Sequence, residues 1–106
     1  MNRIAVTGLG IVAPPGTGKD EFWRNLREVR DFTSPIISFD ASAYPSHLAG
    51  QVRELKAGHL SRRILKKMDK FSVMALVATE QSLNDAGIDL AREDPYSVGV
   101  LLGNTL

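Results

Sequence analysis

The sequence contains no cysteine, and that absence removes disulfide cross-links, thiolate metal sites and a cysteine nucleophile from these 106 residues. It leaves the redox compartment open. Long apolar runs are also missing, since no stretch reaches the roughly eighteen residues needed to cross a bilayer. Met1-Asn2-Arg3 leads into a strand-like segment holding two glycines and not into a signal-peptide core. A cytoplasmic protein without a membrane anchor is the expectation. Aromatic residues make up only 7% of the chain, and none lies among the basic residues between 53 and 70. Base stacking on interleaved aromatics is thereby excluded, which argues against a nucleic-acid partner. The two histidines, His47 and His59, sit in segments that read as loop or surface. No metal site is expected.

What is present is a globular composition of single-domain size, with 43% hydrophobic residues and a formal charge of +1. That small net charge conceals an uneven distribution. Arg53, Lys56, Arg62, Arg63, Lys66, Lys67 and Lys70 fall within eighteen residues, opposed only by Glu54 and Asp69, so this stretch carries a positive local potential.

Residues Ile4 to Ala13 are almost continuously apolar and β-branched, the pattern of a strand buried on both faces as in parallel α/β sheets. Gly8 and Gly10 within it mark a bend or a close backbone approach. Pro14-Pro15-Gly16-Thr17-Gly18 reads as a turn, followed by a helix from about Lys19 to Val29 whose acidic Asp20 and Glu21 suit its N-terminus. Phe22, Trp23, Leu26 and Val29 recur at the spacing of one buried helix face. From Asp31 to Gly58 the periodicity lapses, and one short strand is expected between His47 and Val52. Ser61 is placed to cap a short basic helix, and Asp69 to Ala86 predicts a longer helix stopped by Gly87. The first half of that helix is apolar nearly all round, and Phe71, like Trp23, reads as core packing. Asp94-Pro95 is a turn before a second doubly buried strand, Ser97 to Leu102. Two such strands and an all-round apolar helix call for covering layers that these residues can hardly supply, so the cover is expected from further chain.

Two motifs invite a nucleotide reading. Pro14-Pro15-Gly16-Thr17-Gly18-Lys19 resembles a phosphate loop between strand and helix, but Ala13 replaces its first glycine and Asp20 replaces the hydroxyl that holds magnesium. Gly8-Leu9-Gly10-Ile11-Val12-Ala13 fits a loose dinucleotide fingerprint, yet two prolines follow where its helix should run. A P-loop nucleotide binder stands as a lesser rival.

A different resemblance spans nearly the whole chain. VTGLGIVAPPGTGKDEFWRNL resembles the opening strand, turn and first helix of the beta-ketoacyl synthases, and FDASAYPSHLAGQV is similar to their next segment. KKMDKFSVMALVATEQSLNDAG resembles their long buried helix, and VGVLLGN the strand behind it. The resemblance implies an α/β thiolase-like fold of αβαβα layers, of which residues 1–106 would be an N-terminal fragment. It implies a homo- or heterodimer. Its chemistry is acyl transfer from the phosphopantetheine of acyl carrier protein to a cysteine, followed by condensation with malonyl carrier protein in fatty-acid or polyketide biosynthesis. The family's catalytic residues would lie past Leu106, so the fragment itself would be inactive and would bind no cofactor of its own.

The resemblance also assigns roles to residues that are present. Arg63, Lys66 and Lys67, with Arg62 beside them, match positions that dock the acidic helix of acyl carrier protein, and their spacing of 3 and 4 places them on one helix face. Gly103-Asn104-Thr105-Leu106 aligns with a glycine-rich turn, where Leu106 would form a wall of the acyl pocket. Asn104-Thr105 departs from the Ser-Gly common in fatty-acid members, which keeps polyketide-type synthases in view. The alternative within the family is a non-catalytic chain-length factor, paired with an active ketosynthase subunit as the remainder of the machinery.

Overall fold

The computed structural model describes residues 3–55, 57 and 60–105. Prolines 14 and 15 turn the chain between two-residue strands β1 (Val12–Ala13) and β2 (Gly16–Thr17), which pair antiparallel with Val12 opposite Thr17. Helix α1 (Lys19–Arg27) follows at once. Its N-cap is Gly18 at φ 99°, a left-handed conformation that glycine tolerates. Glu21, in the first turn, reaches back to accept the Thr17 N–H at 3.3 Å, which satisfies one otherwise orphaned donor.

The expected strand near His47 is present as β4 (Leu48–Gly50), and it has a partner that the lapsed periodicity hid. Strand β3 (Thr33–Pro35) pairs with it antiparallel, Ser34 opposite Ala49. Gln51 ties the hairpin further by donating to the Pro35 carbonyl at 2.9 Å. Ser61 caps α2 (Arg62–Leu65) as anticipated, its hydroxyl accepting from the Ile64 N–H at 3.3 Å. Helix α3 (Lys70–Ala86) begins after Asp69 and ends on Gly87 at φ 67°, the left-handed stop foreseen in the sequence. Two single 3-10 turns, Leu90–Arg92 and Pro95–Ser97, complete the order, each capped by an aspartate, Asp89 and Asp94.

The core is small and lies against the first half of α3. Ala57, Val73 and Val77 are buried there, with Val12, Leu55, Leu60, Leu65 and Met68 packed around them. The accessible surface is 9188 Å², whereas a compact protein of 11.6 kDa exposes about 5,800 Å². The radius of gyration, 16.8 Å, likewise exceeds the roughly 13 Å of a compact chain this long.

This openness corrects three expectations. Ile4 to Ala13 is not a doubly buried strand: only Val12 and Ala13 are in a ladder, and Ile4 is 95% exposed. Ser97 to Leu102 is not one either, since Ser97 belongs to a 3-10 turn and Leu101 is 98% exposed. Both segments carry the side chains of buried strands, but a strand exists only where a neighbouring strand pairs with its backbone, and among the described residues neither 4–11 nor 98–102 has such a partner. Finally, Trp23 and Leu26 on α1, Val29 just beyond it and Phe71 on α3 are exposed and do not pack into a core. Helix α1 stops at Arg27, two residues short of Val29, which turns to φ 50°. No helix among the described residues is long and apolar enough to cross a membrane.

Candidate functional site

The basic stretch acquires its geometry from how α2 is anchored. Leu65 and Met68 turn inward onto the cluster around Val73 and Val77, so the intervening polar positions must face outward. Arg62, Arg63, Lys66 and Lys67 are all exposed. Only Arg62 and Arg63 lie within the helix proper, whose last residue is Leu65. The helical course nevertheless continues, with the Lys66 N–H donating to the Arg62 carbonyl at 3.1 Å and the Lys67 N–H to the Ile64 carbonyl at 2.9 Å. The spacing that groups Arg63, Lys66 and Lys67 therefore persists through the turn.

Among the described residues none of these four cations meets a carboxylate, the ion pairs being Lys19 with Asp85 and Arg30 with Glu28. Lys70, the next cation along, is engaged differently, its ammonium donating to the Val52 carbonyl. Ile64, 46% exposed, lies in the middle of the basic group and adds an apolar contact point. Four unpaired cations around one exposed isoleucine form a surface suited to an anionic partner that also carries some apolar area. Leu106, expected at the acyl pocket, lies outside the described residues, as do Lys56 and His59. His47 is exposed in the loop before β4.

A groove that the sequence did not announce runs beside the same region. Met68, Phe71, Ala75 and Leu76, together with Val100, Leu102, Gly103 and Asn104, line a space of about 540 Å³. The signal for it was the apolar surplus of α3, whose second flank meets the chain's last apolar segment.

The loop that resembles a phosphate cradle has its donors already engaged. The Gly18 N–H is given to the Ile11 carbonyl at 2.8 Å and the Thr17 N–H to Glu21. Lys19 is turned to Asp85, which is why its pKa rises, through the hydrogen bond first and the charge of Asp85 after it. A carboxylate sits where a phosphate would need donors, so the geometry lends the nucleotide reading no support.

Comparison with known proteins is consistent in one direction. The profile of the family described as "Beta-ketoacyl synthase, N-terminal domain" matches residues 1–106. The tetracenomycin polyketide synthase ketoacyl synthase beta subunit of Streptomyces glaucescens is 41% identical over 99 residues, covering 92% of this chain and 24% of that protein. The 3-oxoacyl-[acyl-carrier-protein] synthase 2 of a Synechocystis species is 36% identical over 102 residues, covering 95% of this chain and 24% of that protein. Among solved structures, the ishigamide ketosynthase/chain length factor superposes with a TM-score of 0.68 at 27% identity, over 79% of this chain and 21% of that one. The chain spans about a quarter of the length of the relatives it matches.

Proposed function

The chain belongs to the beta-ketoacyl synthase family, whose N-terminal domain it matches throughout, and from that premise we propose that it is the carrier-docking part of a condensing enzyme. In this reading the complete protein takes an acyl group from the phosphopantetheine of acyl carrier protein onto a cysteine thiolate and condenses it with a malonyl unit. The large exposed apolar surface is covered by the other layers of a thiolase-like αβαβα fold and by a second subunit. The reaction belongs to fatty-acid or polyketide biosynthesis in the cytoplasm, and the Asn104-Thr105 pair inclines it to the polyketide side.

The observation that carries the proposal is the unpaired cationic surface of Arg62, Arg63, Lys66 and Lys67 on a helix clamped to α3. Unpaired like charges on one face repel each other, and an acidic helix removes that repulsion while speeding association. Leu106 would stand at the wall of the acyl pocket. The test is carrier-protein binding by the full-length protein with Arg63, Lys66 and Lys67 reversed to glutamate. Affinity at low salt should fall at least tenfold and its salt dependence should flatten. Unchanged low-salt affinity overturns the docking role.

A second reading is favoured by two of the matches, one to a beta subunit and one to a ketosynthase/chain length factor. The chain would then belong to a non-catalytic subunit paired with an active ketosynthase. Incubating the full-length protein with a radiolabelled acyl thioester separates the two. A covalent thioester on the protein supports the enzyme, and label found only on a co-purified partner supports the chain-length factor.

A further inference from the structure

The segment before β1 meets the second half of α3 through contacts that no catalytic or docking role accounts for. Its Leu9 N–H donates to Asp85 Oδ2 at 3.0 Å and its Ile11 N–H to Gln81 Oε1 at 3.0 Å. Alternate amides of an extended chain point the same way and repeat at about 6.6 Å. Residues four apart on a helix repeat at about 6.0 Å on one face. Gln81 and Asp85 thus stand at the interval at which the chain offers its donors.

Between and beside these donors the backbone itself touches the helix. A methyl group built on Gly10 would fall 1.8 Å from the Ala78 carbonyl oxygen, and one on Gly8 would fall 2.1 Å from the Ser82 carbonyl oxygen. Lys19, at the start of α1, reaches the other oxygen of Asp85.

We infer that Gln81 and Asp85 are positioning residues which, with Gly8 and Gly10, form a register latch that seats residues 8–11 on α3 in one alignment. A slip by one residue would carry Leu9 or Ile11 into the space only a glycine fits and would turn the donors away from both acceptors. A slip by two would restore the direction of the donors but would place Val6 or Val12 at one of the two close approaches. Only the observed alignment satisfies all four contacts. Lys19 extends the latch to α1, so one carboxylate holds two elements against the helix. The inference is independent of carrier docking.

Amide hydrogen exchange on the full-length protein tests it. Asp85→Ala should accelerate exchange at Leu9 about tenfold and Gln81→Ala should do so at Ile11, with Val73 and Val77 unchanged in both, because each variant removes one acceptor from an exposed or half-buried site. Asp85→Glu should restore most of the protection at Leu9. The exchange of Lys19→Asp with Asp85→Lys should not, since it rebuilds the ion pair but supplies no acceptor. Leu9 exchange unaltered by Asp85→Ala, or acceleration of Val73 and Val77 by the same factor, would overturn the latch.

Discussion

The two halves of α3 are held by different physics. The first half, around Val73 and Val77, is gripped by aliphatic side chains from Leu55 to Met68. The second half, from Ala78 to Ala86, is met by glycine backbone and by amide donors directed at Gln81 and Asp85. Dispersion and burial tolerate small adjustments of shape, whereas a methyl-free approach to a carbonyl oxygen does not. The helix therefore has an apolar end that sets how firmly it is attached and a glycine end that sets where the chain lies on it.

The contrast can be broken most severely at Gly10. Gly10→Ala drives a methyl group into the backbone of Ala78, and neither partner is a flexible side chain, so we expect a loss of about 3 kcal/mol in chemical denaturation of the full-length protein. Val77→Ala attacks the other half, where Val77 is 3% exposed, and should cost about 2 kcal/mol while leaving Leu9 exchange intact relative to global opening. Ser61→Ala removes the cap that shapes the basic helix, and about 1 kcal/mol or less is expected, detectable as faster amide exchange at Ile64.

The smallest effect is one of pH. Asp85 is held below the usual carboxylate value of 3.8, first by the hydrogen bond from Lys19 and then by the Leu9 N–H. Its folded pKa is depressed, so its contribution is present above the unfolded value and is lost as pH falls through the folded one. Asp85→Asn should accordingly lower stability modestly at neutral pH, flatten the acid limb of a stability profile below about pH 4, and converge with the parent protein at low pH. Asp31 and Asp40 are lowered too, by the amides of Thr33 and Ser42, and would persist as the remaining acid dependence.

Much of the local structure was legible because its causes lie within four or five residues. The cap at Ser61, the stop at Gly87 and the turn at Pro14-Pro15 each follow from one residue's chemistry and its immediate neighbours. The outward aim of Arg63, Lys66 and Lys67 was legible for the same reason, since helical spacing alone groups them. Strand β3 was not, because Thr33-Ser34-Pro35 has no alternation of its own and becomes a strand only by pairing with Leu48–Gly50. The apolar runs at Ile4 and Val98 pointed to burial that the described residues do not provide, for hydrophobicity states that a segment needs cover without naming what covers it.

The two glycines show the division most clearly. Their presence in an apolar run already announced a bend or a close approach, because a residue without a side chain serves little else there. The sequence by itself determined where the three α-helices lie, the cap at Ser61, the stop at Gly87, the cationic face and the family to which the chain belongs. Only the tertiary structure decided that Gly8 and Gly10 meet α3 instead of a phosphate. It also decided that Lys19 answers Asp85 across 66 residues and that an apolar groove opens beside Phe71. Local rules act through bonds and turns a few residues long; contacts across that many residues exist only once the helix has brought their ends together.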